Sequence, residues 1–201
     1  GQAAAEAVET AIAFDTLAEK SGAGARAKWR ARAAEEYRKA LRLMPDFDSE
    51  DAHKLNALGY FLADRGTTPD DFNKAERLTR NSLALWDKQL AQLNKSDPRL
   101  PLLRFSREVG PHDSLAWALY RQGRYEEALH EQTAAIAAAR AASAASKVST
   151  GPLASELYFH LGEIYRALGR PQEARRHYQE ALRLNPDDTA RRRAVQGLPP
   201  Q

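Results

Sequence analysis

The chain has no cysteine and a single methionine. Disulfide frameworks, thiolate metal sites and cysteine nucleophiles are therefore excluded. Valine is scarce, with four residues, and apolar side chains recur at three and four positions rather than two, so strand signals are absent. Eleven glycines and ten prolines in 201 residues are too few for a collagenous or linker-like chain. No long hydrophobic run exists. The most apolar stretch, 133–148, is mostly alanine and carries Arg140 and Lys147, too short and polar to cross a bilayer. Gly1 to Glu6 lacks the basic start and apolar core of a signal peptide. Thirty Lys and Arg oppose 27 Asp and Glu, for a net +3. A dedicated nucleic-acid binder needs a concentrated basic face, so that class is disfavoured.

What is present is enough apolar residue, 43%, to bury a core in one domain. Nearly all of the chain reads as helix. Helix breakers and turn formers fall at Ser21–Gly24, Pro45–Asp46, Gly66–Pro69, Ser96–Pro98, Gly110–Pro111, Gly123, Thr150–Pro152, Gly169–Pro171 and Asn185–Pro186. Between these marks the helices come in pairs, which suggests a repeat. The clearest unit runs from Ser155 to Asp188. Its first helix carries Tyr158, Leu161, Gly162 and Tyr165, its second Ala174, Tyr178, Ala181 and Leu182, and Pro186 closes it. Gly162 and Ala174 are small because two antiparallel helices approach closely there, while the tyrosines fill the space around the contact. Proline then stops the second helix.

This unit resembles the tetratricopeptide repeat (TPR) at every signature position. The stretch Gly123-Arg124-Tyr125-Glu126-Glu127-Ala128-Leu129, after Leu115, Ala116 and Leu119, resembles it too. A partial copy has Leu58, Gly59, Leu62, Ala75, Leu78 and Leu83. The first copy keeps mainly its second half, in Ala33, Tyr37, Ala40, Leu41, Leu43 and Pro45, with Ile12, Phe14 and Leu17 as core candidates in its first helix. The resemblance implies an all-α fold, a TPR-like α-solenoid of about four helix pairs. The repeats would cover about 3–46, 52–95, 109–147 and 155–188, with a C-terminal cap over 189–197 that includes Arg191 to Arg193, and Leu198 to Gln201 fraying beyond it.

The array departs from an even period. Gly66, Gly123 and Gly169 are 57 and 46 residues apart, against a family period of 34. Asp87 and Arg140 stand where stopping prolines are expected, so two second helices are expected to run on, to about Lys95 and Ser146. At 1.5 Å per residue each would reach roughly 35 Å. Trp86, Leu90 and Leu93 on one extension face an expected alanine strip of Ala134, Ala138, Ala141 and Ala145 with Val148 on the other. We therefore expect the two long helices to pack on each other, with Arg99 to Glu108 over them as a short helix or ordered loop.

Few constellations point to chemistry. Glu156, His160 and Glu163 share one helix face and could hold a metal, but a solvated or groove-lining polar face is the favoured reading. His130-Glu131 lacks the second histidine of a zincin. His112, Asp113 and Ser114 contain hydrolase residue types, yet neighbours on a helix point about 100° apart and cannot form a relay. Asp113 or Ser114 reads as a helix cap after Pro111. No cofactor, metal or catalytic residue is called for.

In the resemblance, first helices line a concave face that contacts partner peptides. Carried onto this chain, the face comprises His53, Asn56, Tyr60 and Asp64, then Asp113, Trp117, Tyr120 and Arg121, then Glu156, Phe159, Glu163 and Arg166. Trp117, Tyr120 and Phe159 read equally as partner anchors and as packing between pairs. Tyr60, Trp117 and Glu163 stand where a chaperone-tail clamp would want asparagine or basic groups, which disfavours that subclass. The segments 55–65 and 113–121 also resemble bacterial TPR scaffold proteins, implying a soluble scaffold piece of a larger chain, with cytoplasm and periplasm left open. The leading expectation is a non-enzymatic interaction module that binds a protein or peptide, without membrane insertion. The alternative is a homo-oligomer, self-associating through the apolar insertion 86–105.

Overall fold

The computed structural model describes residues 1–94, 96–146, 151–186 and 197. Among them are nine α-helices and no strand. The helices are α1 (Gln2–Glu19), α2 (Ala23–Leu43), α3 (Ala52–Arg65), α4 (Pro69–Ala91), α5 (Leu100–Glu108), α6 (Gly110–Arg121), α7 (Tyr125–Ser146), α8 (Gly151–Ala167) and α9 (Pro171–Leu184). The expected cap over 189–197, Arg191 to Arg193 included, lies outside the described residues except for Gly197, as do Leu198 to Gln201 and Val148.

Local signals set the helix ends. Asp51 caps α3, its carboxylate accepting from the His53 and Lys54 amides at 2.9 and 3.3 Å. Thr68 and Asp71 form a reciprocal capping box on α4, with Pro69 in the first turn. The α6–α7 and α8–α9 turns need a left-handed residue, supplied by Gly123 at φ 79° and Gly169 at φ 71°. The amides just beyond reach back to the carbonyls of Leu119 and Tyr165 at 3.0 and 2.9 Å, closing each helix end.

The hairpins α1/α2, α3/α4, α6/α7 and α8/α9 stack in chain order, α6 resting on both α3 and α4, and α8 on α7 and α6. Close approach inside a hairpin is set by small residues. A Cβ on Gly162 would lie 2.5 Å from the Tyr178 ring, and one on Gly59 would lie 2.8 Å from the Thr79 methyl. Fully buried Leu115, Leu119 and Ile164 form the seam between the third and fourth pairs. Each contributes about 1.5–3 kcal/mol by leaving water. In the first pair the buried face of α1 is Ala4, Ala7, Val8, Ala11 and Ala18. Ile12 and Phe14 pack at its edge, whereas Leu17, expected in the core, is 43% exposed.

The second helices α4 and α7 are long, at 23 and 22 residues, about 34 Å each. α4 stops at Ala91, short of the expected Lys95, and α2 is also long at 21 residues. The expected pairing of the two long helices is corrected. α5 is interposed and packs on α4, α6 and α7, so the alanine strip meets Phe105 of α5 rather than the large residues of α4. Trp86 instead turns inward, 3% exposed, with its ring edge-on to His53. A polar ladder fixes the insertion. Arg107 donates to both Asp87 oxygens at 2.8 and 3.2 Å and to His112 Nε2 at 2.9 Å, and His112 Nδ1 donates to Glu131 at 2.5 Å. Asp87, standing where a stopping proline was expected, thus anchors the element that the longer helix makes room for.

If Gly162 sets the α8–α9 distance, Gly162→Ala will cost about 1–3 kcal/mol in urea unfolding, because the tyrosine must be displaced. Gly24→Ala, where a Cβ meets nothing within 4 Å, will be neutral or stabilising by up to about 1 kcal/mol. Equal effects at the two glycines would remove the close-approach argument.

Candidate functional site

The groove is lined by residues of five helices. α1 and α2 contribute Asp15, Glu19, Arg30, Ala33, Ala34 and Tyr37, and α3 contributes Tyr60, Phe61, Asp64 and Arg65. Trp117 comes from α6, and Glu156, Phe159 and His160 come from α8. The space between them is about 420 Å³. First and last helix pairs therefore share one concavity.

Its floor rests on a buried polar hub. Asp113, 6% exposed, accepts from Gln132 Nε2 at 2.7 Å and from His160 Nδ1 at 2.9 Å. Gln132 also donates to the Leu157 carbonyl at 3.0 Å. One carboxylate thus ties α6, α7 and α8. The helix-capping role expected for Asp113 is corrected, since α6 has no side-chain cap and this carboxylate points inward. Burial alone would push the His160 imidazole down, but the Asp113 charge and hydrogen bond outweigh it and hold it above its ordinary range. His160 stacks on Trp117 at 4.2 Å and Tyr120 stacks on the other side at 4.6 Å, so the indole is held between two rings.

Around the rim, phenols hold carboxylates. Tyr37 donates to Asp15 at 2.9 Å, and Tyr60 donates to Glu156. Burial, reinforced by the Glu156 charge, pushes the Tyr60 phenol well above its usual range. Burial likewise raises Asp15, against the opposing Tyr37 hydrogen bond and the Arg30 charge. Glu19 is raised by burial and then by the Glu156 and Asp15 carboxylates.

Of the twelve residues expected on the concave face, Tyr60, Asp64, Trp117, Glu156 and Phe159 line this groove together. The other seven lie elsewhere. His53 is exposed near Trp86, and Asn56 sits against Gly110. Asp113 lies beneath the floor. Arg121 clamps the C-terminus of α3, donating to the carbonyls of Ala63, Asp64 and Gly66 at 2.7, 3.1 and 2.9 Å, with its guanidinium 4.4 Å from the Phe72 ring. Glu163 accepts from Tyr178 at 2.5 Å and from Tyr120 at 3.2 Å, and pairs with exposed Arg166. The metal trio considered above is thereby divided. Glu156 takes Tyr60, His160 takes Asp113, and Glu163 takes the two tyrosines. Among the described residues no group of three or more His, Cys, Asp or Glu is placed to hold a metal.

Sequence reasoning missed Asp15, Glu19, Arg30, Tyr37, Phe61 and Arg65 as groove residues, while it places His160 on a solvated or groove-lining polar face. The signal for the first two was available, because Asp15 and Glu19 repeat on α1 the four-residue step that relates Tyr60 to Asp64.

Residues 113–143 and 155–188 match the tetratricopeptide repeat family. These two stretches of the chain carry tetratricopeptide repeats. Proteins built on this repeat generally mediate protein–protein contact and scaffolding, and they bind protein partners. Similar solved structures include that of PilF from Pseudomonas aeruginosa, 21% identical, covering 94% of this chain and 68% of that one, with a TM-score of 0.47. The MamA RS-1 ArsTM double mutant is 18% identical, covering 92% and 81%, with a TM-score of 0.44. BtubC from P. vanneervenii is 17% identical, covering 100% and 93%, with a TM-score of 0.24. No curated protein matches the sequence. No helix among the described residues is long and apolar enough to cross a membrane.

The buried ion pair makes stability depend on pH with a defined sign. A histidine raised in the folded state contributes stability that is complete below its unfolded value, about 6.5, and is lost as pH rises through the folded value. Urea midpoints between pH 6 and pH 9 will therefore fall more steeply for the parent chain than for His160→Gln. Identical slopes would contradict the assignment.

Proposed function

We propose that this protein is a non-enzymatic recognition module whose groove binds a segment of a partner protein. The observation that carries this reading is the meeting of Tyr60, Trp117 and Phe159, from three different helix pairs, in one concavity with charged residues around them. A flat or filled face would offer a partner no pocket for an anchoring side chain. Here side chains from first, second, third and fourth pairs surround a space of about 420 Å³, large enough to take side chains of a peptide. The hub beneath holds Trp117 in one orientation, and the phenol–carboxylate pairs hold the rim. A partner therefore meets a surface that needs little ordering on binding, which lowers the entropic cost of association.

Selection of a random 12-residue display library on the immobilised chain tests this directly. Peptides so recovered will bind Phe159→Ala and Trp117→Ala variants at least tenfold more weakly, as loss of a central aromatic anchor costs about 2 kcal/mol or more. Far-UV circular dichroism of the Phe159→Ala variant will be unchanged. Peptides that bind both variants like the parent would contradict the groove reading.

A second reading, self-association, has one observation in its favour. α5 buries none of its residues fully, and its Leu102 is 66% exposed. Trp86 no longer belongs to that outcrop. If α5 joins two copies, sedimentation will show a dimer that Leu102→Asp converts to monomer; a concentration-independent monomer of the parent chain would remove this reading.

A further inference from the structure

Charge around the groove is unbalanced. Asp15 and Glu19 of α1, Asp64 of α3 and Glu156 of α8 line it, against two arginines, Arg30 and Arg65, and the His160 imidazole, which is already paired with Asp113. Arg65 is itself paired with the adjacent Asp64 at 2.8 Å. The whole chain carries +3, so this excess of acid is local rather than a property of the surface at large. Burial first holds the Glu19 carboxyl above its ordinary range, and the Glu156 and Asp15 carboxylates add to that against Arg30 and Lys20, so acids of the first and last helix pairs act on one another across the groove.

The floor supplies a second, independent feature. Trp117 is 9% exposed, and its indole N–H has no hydrogen-bond acceptor. Both faces of that indole are covered, by His160 and by Tyr120, and its nitrogen is itself buried. A buried donor left without an acceptor is destabilising.

We propose that the groove recognises a basic peptide segment, a Lys or Arg side chain lying between the acids of α1 and α8 over the Trp117 floor. This rests on the reading of the groove as a peptide site and names the chemistry of its partner. The bound cation neutralises the opposed carboxylates of the first and last helix pairs. Binding therefore links the two ends of the array. Specificity follows, because an acidic segment would add to the existing repulsion.

The test uses the same display library and the double variant Glu19→Gln/Asp64→Asn, which leaves the Phe159 and Trp117 anchors in place. Peptides lost on Phe159→Ala will be enriched in Lys and Arg, will bind the double variant at least tenfold more weakly, and will weaken as salt rises. Replacing the peptide's basic residue by norleucine will produce the same loss on the parent chain. Peptides lost on Phe159→Ala but lacking basic residues, or unchanged within twofold on the double variant, would overturn this inference and leave the groove reading standing. Peptides indifferent to Phe159→Ala would overturn both.

Discussion

A single carboxylate sunk between helices organises much of this molecule. Asp113 accepts hydrogen bonds from Gln132 and His160, so α6, α7 and α8 meet on one buried charge. An unpaired carboxylate at that depth would be prohibitively expensive, and removing one partner of such a pair typically costs about 3–5 kcal/mol. The geometry is therefore strongly specified. Because His160 stacks on Trp117, the same constraint that joins the third and fourth pairs also fixes the aromatic floor of the groove. Packing and recognition share one support.

The outer layer follows a different logic. Hairpins close where Gly59 and Gly162 admit a large or branched neighbour, and turns close where Gly123 and Gly169 adopt left-handed backbone. The insertion between α4 and α6 is held by charge: Asp87, Arg107, His112 and Glu131 run as a ladder across four helices. Irregular spacing of the repeats is thus accommodated without opening the stack. The long α4 and α7 are separated by a short helix that fills the space between them.

The fold was legible because its signals are local. Small residues at close approaches, glycine turns and capping residues each act within a few positions, and α8/α9 could be laid out almost residue by residue. The site was only half legible. Tyr60, Asp64, Trp117, Glu156 and Phe159 were placed by the resemblance to the repeat family, but that resemblance does not say how tightly this superhelix curls. That curl brings Asp15 and Glu19 opposite Glu156, a relation over more than a hundred residues with no local signature. Asp113 and Arg121 were misplaced for a related reason. A polar residue on a first helix looks groove-facing until its partner, on a distant helix, is known. The pairing of α4 with α7 was likewise plausible by shape, and α5 took the place instead because Phe105 and Arg107 satisfy both neighbours at once.

The chain's three tryptophans occupy three distinct settings: Trp29 against Phe14, Trp86 against His53, and Trp117 in the groove floor. Their indole N–H resonances, assigned by single Trp→Phe substitutions, report separately on each. The most direct measurement is an NMR titration of the labelled chain with an arginine-containing peptide recovered by display. The account predicts that the Trp117 signal shifts as the peptide covers the groove floor, while those of Trp29 and Trp86 stay in place. A bound peptide that leaves Trp117 unmoved, or moves Trp86 instead, would contradict it.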